Sequence, residues 1–126
     1  RRVDRSAARG LLLAANDLLK EPKLSPEIMS EARYVRAKAY ISLKQENKAL
    51  ADLKEISKDT RTIHGAEAKY LLAQLYYDNK DDKNAETVLM NFIENGTPHQ
   101  YWLARGFILL LIFISAKVMI SKLVNI

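Results

Sequence analysis

Apolar residues fall at Ala7, Leu11, Leu12, Ala15, Leu18 and Leu19, the three-and-four spacing of one helical stripe. Asp4 or Ser6 supplies the N-cap of this first helix, and Glu21-Pro22-Lys23 ends it near Lys20. Ser25-Pro26-Glu27 is a strong restart, because Ser accepts orphan backbone N–H bonds and Pro suits the first helical position. A helix from Pro26 to about Leu43 follows. The apolar period breaks between Lys44 and Asn47 and resumes at Ala49, Leu50, Leu53 and Ile56, which predicts a second, antiparallel helix. His64-Gly65 separates this pair from the next, whose arms run from Ala66 to Tyr77 and from Asp81 to Glu94. Asn95-Gly96 then reads as a helix stop, Thr97-Pro98 as a new cap and start, with another helix from Tyr101.

The two pairs superimpose when slid 36 positions, so that Ala37, Tyr40, Ala49 and Leu53 become Ala73, Tyr76, Ala85 and Leu89. A fixed period of this length marks stacked supersecondary units, none of which buries its apolar face alone. The expected fold class is all-α. Its divisions are 1–24, the closing helix of an earlier unit, then repeats at 26–60 and 62–96, and a last repeat at 98–126.

The spacing Ala-x-x-Tyr, then Ala nine positions on and Leu four later, resembles the tetratricopeptide repeat. In that family a small residue and a Tyr sit on the first helix, and a small and a large apolar residue on the second. The small residues here are Ala37 and Ala49, then Ala73 and Ala85; Leu72 fits the pattern and Arg36 does not. The period is 36 where 34 is usual, and the Trp and Pro of the family pattern are missing from both units. The resemblance implies a right-handed α-α superhelix, a solenoid of about three hairpins, whose first helices line a concave groove.

Carried over position by position, that groove face comprises Glu31, Tyr34, Lys38 and Ile41, then Glu67, Tyr70, Gln74 and Tyr77. Tyr34 and Tyr70 are the leading anchors, since Tyr offers large amphipathic contact area. The Lys and Asn set with which some family members clamp a peptide carboxylate is not reproduced. The resemblance implies a non-catalytic scaffold for a protein or peptide partner. A self-association module of a larger, bacterial cell-envelope protein is the second reading. An RNA-binding helical repeat is the third, disfavoured because Glu31 and Glu67 would repel phosphate.

Composition narrows the chemistry. Only four Gly and three Pro stand among 126 residues, which favours helix throughout, and the absence of Cys excludes disulfides and thiolate metal sites. The net charge of +5 sits in the first half, and Arg1, Arg2, Arg5 and Arg9 form a basic end. His64 and His99 lie in expected connections without clustered partners. Asp78-Asn79-Lys80-Asp81-Asp82 fails as a calcium loop, because Lys83 stands where the turn Gly belongs and Leu89 where the bidentate Glu belongs. No catalytic, metal or cofactor site is expected. The start at Arg1 without a signal segment reads as a fragment or processed product, leaving cytoplasm and periplasm both open.

Residues 111–126, LIFISAKVMISKLVNI, break the repeat where a third Ala-x-x-Tyr is due. With one base inserted ahead of suitably chosen codons, they read ADIYISKGDDFKARQY, which restores Ala-x-x-Tyr, an Asp-Asp turn and an Ala nine positions after the Tyr. Two other readings stand beside this shifted frame. One is a divergent capping helix that forms a homodimer through its apolar surface. The other is a membrane span, for which the uncharged run Gly106 to Ala116 is too short.

Overall fold

The computed structural model describes residues 4–125. The basic-end residues Arg1 and Arg2 lie outside them. Six α-helices and no strand occur among the described residues: α1 (Arg5–Leu18), α2 (Pro26–Ser42), α3 (Leu50–Ile56), α4 (Ile63–Asp78), α5 (Asp82–Asn95) and α6 (Gln100–Val124). The all-α expectation holds. A short 3-10 turn, Glu46–Ala49, leads into α3.

Side chains cap four of the six helices. The Asp4 carboxylate accepts from the Ser6 and Ala7 amides, and Ser25 Oγ accepts from Ile28 N with Pro26 behind it. Asp81 caps α5 through Asn84 N. The turns after α2 and α4 are alike: Lys44 and Lys80 adopt positive φ of 61° and 63°, and the next amides, of Gln45 and Asp81, return to the carbonyls of Tyr40 and Tyr76, both at 2.9 Å. These αL residues reverse the chain and set α3 against α2 and α5 against α4.

Two boundaries depart from the sequence reading. His64-Gly65 is not a connection but the first turn of α4, because Thr62 Oγ1 accepts from Gly65 N at 2.9 Å and opens the helix earlier. Gly65 is there for proximity, since a Cβ on it would meet the Asp59 carbonyl oxygen at 1.8 Å. At the other boundary α6 starts at Gln100, beside the expected Tyr101, but without a side-chain cap, so Thr97-Pro98 does not serve as its cap and start. The Thr97 hydroxyl is instead directed to the Thr60 carbonyl, Thr60 Oγ1 donates to Gly96 O, and His99 Nε2 lies 2.9 Å from Arg61 O. The two inter-hairpin connections thus dock side by side.

Burial follows the repeat. Ala37, Ala49, Leu53, Ile56, Ala68, Leu72, Leu75, Tyr76 and Ala85 form one cluster. A second cluster joins Ala66, Tyr70, Ala73, Leu89 and Phe92 to Leu109, Leu110 and Phe113 of α6. Arg36, the misfit of the pattern, stands where the next unit has Leu72. It donates bidentately to buried Asp52, with Nε–Oδ2 and Nη2–Oδ1 both 2.8 Å, and its Nη1 donates to Asn16 Oδ1 at 3.0 Å. A charged clamp across α1, α2 and α3 occupies the place that Leu72 and Val88 hold one unit later.

Arg36→Leu strands the Asp52 carboxylate and should cost about 3 kcal/mol in urea unfolding, whereas Arg36→Leu with Asp52→Val should return to within about 1 kcal/mol of the parent. Gly65→Ala should lower stability by about 2 kcal/mol, read from the same denaturation midpoint.

Candidate functional site

The eight groove candidates come from α2 and α4, which meet through side chains. The Tyr34 hydroxyl donates to Glu67 Oε1 at 2.7 Å and Lys38 Nζ donates to Glu67 Oε2 at 2.6 Å, so one carboxylate of α4 holds two donors of α2. The Tyr34 ring stacks on His64 with centroids 3.7 Å apart and planes 7° from parallel, and His64 Nδ1 lies 3.7 Å from Glu31 Oε1. Glu31, Tyr34 and Lys38 therefore converge on Glu67 and His64. Burial, the Glu67 hydrogen bond and the charges of Glu67 and Glu31 push the Tyr34 phenol well above its ordinary value.

The second group converges on α6. Tyr70 OH donates to Gln74 Oε1 at 3.0 Å and accepts from Arg105 Nη2 at 3.1 Å, while Arg105 Nη1 donates to Tyr101 OH at 2.7 Å. The Arg105 guanidinium lies 4.7 Å from the Tyr70 ring centroid and 5.9 Å from that of Trp102. Gln74 Nε2 donates onward to Asp78 at 2.9 Å, and Tyr77 packs edge-on against Phe113, centroids 6.3 Å apart. Ile41 packs against the first apolar cluster.

This geometry changes the role of several candidates. Tyr70 is only 7% exposed and Glu67 only 6%, so neither offers a free surface to a partner. The neighbouring first arms cover them, Glu67 through Tyr34 and Lys38 of α2 and Tyr70 through Arg105 and Trp102 of α6, which the spacing within a single unit does not reveal. Tyr34, Ile41, Gln74 and Tyr77 are half-buried, and Glu31 and Lys38 stay exposed. The accessible face is polar at its rim and aromatic beneath. Arg105, Tyr101 and Trp102 join it and were missed, because the repeat at 36 positions supplies no Tyr or Trp precedent for them.

A cleft of about 690 Å³ opens elsewhere, at the N-terminal end of α2, with Glu27, Glu31, Arg33, Glu55 and His64 among its walls. Glu55 is paired there with Lys58 at 2.8 Å and Arg33 at 3.8 Å. Of the eight candidates it includes only Glu31. Among the described residues, no three or more His, Cys, Asp or Glu side chains gather as a metal-holding group.

The helix α6 is 25 residues long and apolar enough to cross a membrane by length and composition, with 17% of its most apolar window buried. It is longer than its uncharged run suggests, because the helix continues through Lys117. Yet Gly106, Leu109, Leu110 and Phe113 are packed against α4 and α5. What remains beyond Phe113 measures about 16 Å, half of a bilayer core.

No family model matches the chain, and neither does any curated protein or solved structure.

Because the folded Tyr34 phenol holds its proton more tightly than the unfolded one, its contribution to stability is full below pH about 10 and is lost as pH rises beyond that. Thermal melts across this range should fall more steeply for the parent than for Tyr34→Phe.

Proposed function

We propose that this chain is a non-catalytic, tetratricopeptide-like scaffold that receives a protein or peptide segment along the face shared by α2, α4 and α6. The observation that carries this reading is the continuity of that face. Glu67 ties α4 to Tyr34 and Lys38 of α2, and Arg105 ties α6 to Tyr70 of α4, so the first arms form one preorganised surface. Preorganisation lowers the ordering cost of binding, and side-chain amides and charges at the rim suit an extended peptide. The repeat spacing of the two Ala-x-x-Tyr units supports the same arrangement as a solenoid.

Glu31, Lys38, Gln74 and Arg105 are the contact residues in this reading, with Tyr34 and Tyr77 as partly open aromatic ground between them. Tyr70 and Glu67 act as positioning residues beneath. A nucleic-acid groove is disfavoured by the exposed Glu31 carboxylate on the same face.

A second reading, self-association, is favoured by a specific observation. Phe107, Leu111, Ile114 and Val118 are each about half exposed and follow a four-three-four spacing along α6, the seam of a coiled coil.

Peptides selected against the immobilised chain from a random library should bind the parent and lose about tenfold or more in affinity with Lys38→Ala or Arg105→Ala, each variant retaining the parental far-ultraviolet circular dichroism. Equal calorimetric affinities for the parent and both variants would overturn the groove assignment.

A further inference from the structure

We infer that the uncovered face of α6 is the seat of a second arm of its own hairpin, encoded by the same gene in the frame whose codons each begin on the last base of the preceding codon from residue 111 onward. The inference rests on the hairpin-repeat reading but not on the ligand of the groove.

Each first arm uses one small-and-large set of residues against the preceding helix. In α4 this set is Ala68, Leu72 and Leu75, which pack into the cluster of α3. In α6 it is Gly106, Leu110 and Phe113, with the same four-three spacing, packed against α5: a Cβ on Gly106 would lie 2.9 Å from the Phe92 ring. In α2 it is Ala32, Arg36 and Ala39, facing α1. The register from α2 to α4 is thus 36 positions, and from α4 to α6 it is 38, as Ala68 with Gly106 and Leu72 with Leu110 require.

That register fixes what α6 ought to present to a second arm. Ala37 and Ala73, both fully buried at the crossing with α3 and α5, correspond to Leu111, which is 50% exposed. Tyr76 corresponds to Ile114, also exposed. Lys44 and Lys80, the positive-φ residues that end the earlier first arms, correspond to Val118. A β-branched residue resists that conformation, and here the helix runs straight on to Val124. The seat for a second arm is present, and the turn that would deliver the arm is not.

The neighbouring frame supplies that turn at this register. With codons that the protein sequence allows, it reads alanine in place of Leu111, tyrosine in place of Ile114 and glycine in place of Val118, the residue most at ease with positive φ. With the same codons, aspartates replace Met119 and Ile120, matching the N-cap Asp81 and the helix-opening Asp82. Alanine replaces Leu123, matching Ala85. The genetic code narrows the choice at three of these positions. Methionine has the single codon ATG and isoleucine begins AT, so the codon replacing Ile120 is GAT, aspartate, without alternative. Lysine ends in A or G and valine begins GT, so Val118 becomes serine or glycine. Phenylalanine ends in T or C, so Ile114 becomes tyrosine or histidine.

The test begins with the source nucleotide sequence, read in this frame through and past residue 126. The expected result is an open frame with alanine, tyrosine, glycine, two aspartates and alanine at the six positions named, and large apolar residues at positions 127 and 130, where Leu89 and Phe92 recur at the same register. A stop codon or polar residues at 127 and 130 would overturn the inference. The protein made in the restored frame should then be monomeric by light scattering and should lose the binding of anilinonaphthalene sulfonate expected of the chain as it stands. Unchanged self-association, or equal binding of both proteins to neutral phosphatidylcholine vesicles, would assign the face to a second copy or to lipid and overturn the inference. Neither readout involves a groove ligand, so failure of the scaffold reading is told apart from failure of this one.

Discussion

The fold depends on how closely the helices of each hairpin cross. Ala37, Ala49, Ala73 and Ala85 are all fully buried, and a side chain larger than a methyl has no room at those points. Leu53, Leu89, Ile56 and Phe92 then reach past the crossing into the next unit. Because each hairpin buries only one side of itself, the opposite side is completed by its neighbour, and stability passes from unit to unit. Where that chain of completion is interrupted, apolar surface remains in solvent.

Polar groups reinforce the register that the small residues permit. Arg36 and Asp52 replace an apolar pair with a bidentate one, which gives little net stability but punishes any slip that would leave Asp52 alone. Glu67 performs the same service between α2 and α4, and the Thr60 and Thr97 hydroxyls tie the inter-hairpin connections together. None of these contacts has the geometry of a reacting centre. They align the first arms.

The helix α6 obeys the stacking rule on one side and departs from it on the other. Its docked side repeats the small-and-large set of the earlier first arms, while Leu111, Ile114 and Val118 stand exposed where the earlier units have a crossing alanine, a packed tyrosine and a turn. The face that the rest of the molecule leaves open is therefore the one that a second arm covers in both preceding hairpins.

Taken alone, the sequence determined the helical class, the pairing of helices and most helix starts, because a three-and-four apolar period, Ser25-Pro26 and the repeated Ala-x-x-Tyr act through local geometry. It also named the face that contains Tyr34, Lys38, Glu67 and Gln74. What it could not determine was which of those side chains remain accessible. Tyr70 and Glu67 are buried against side chains of other helices, and Arg105 enters the face only once α6 has stacked on α4. The same holds for the early start of α4, where Gly65 answers to the Asp59 carbonyl, and for the uncapped start of α6, where Thr97 answers to Thr60. Local pattern sets what each segment becomes; the contacts between distant segments decide which of its residues are left to meet anything else.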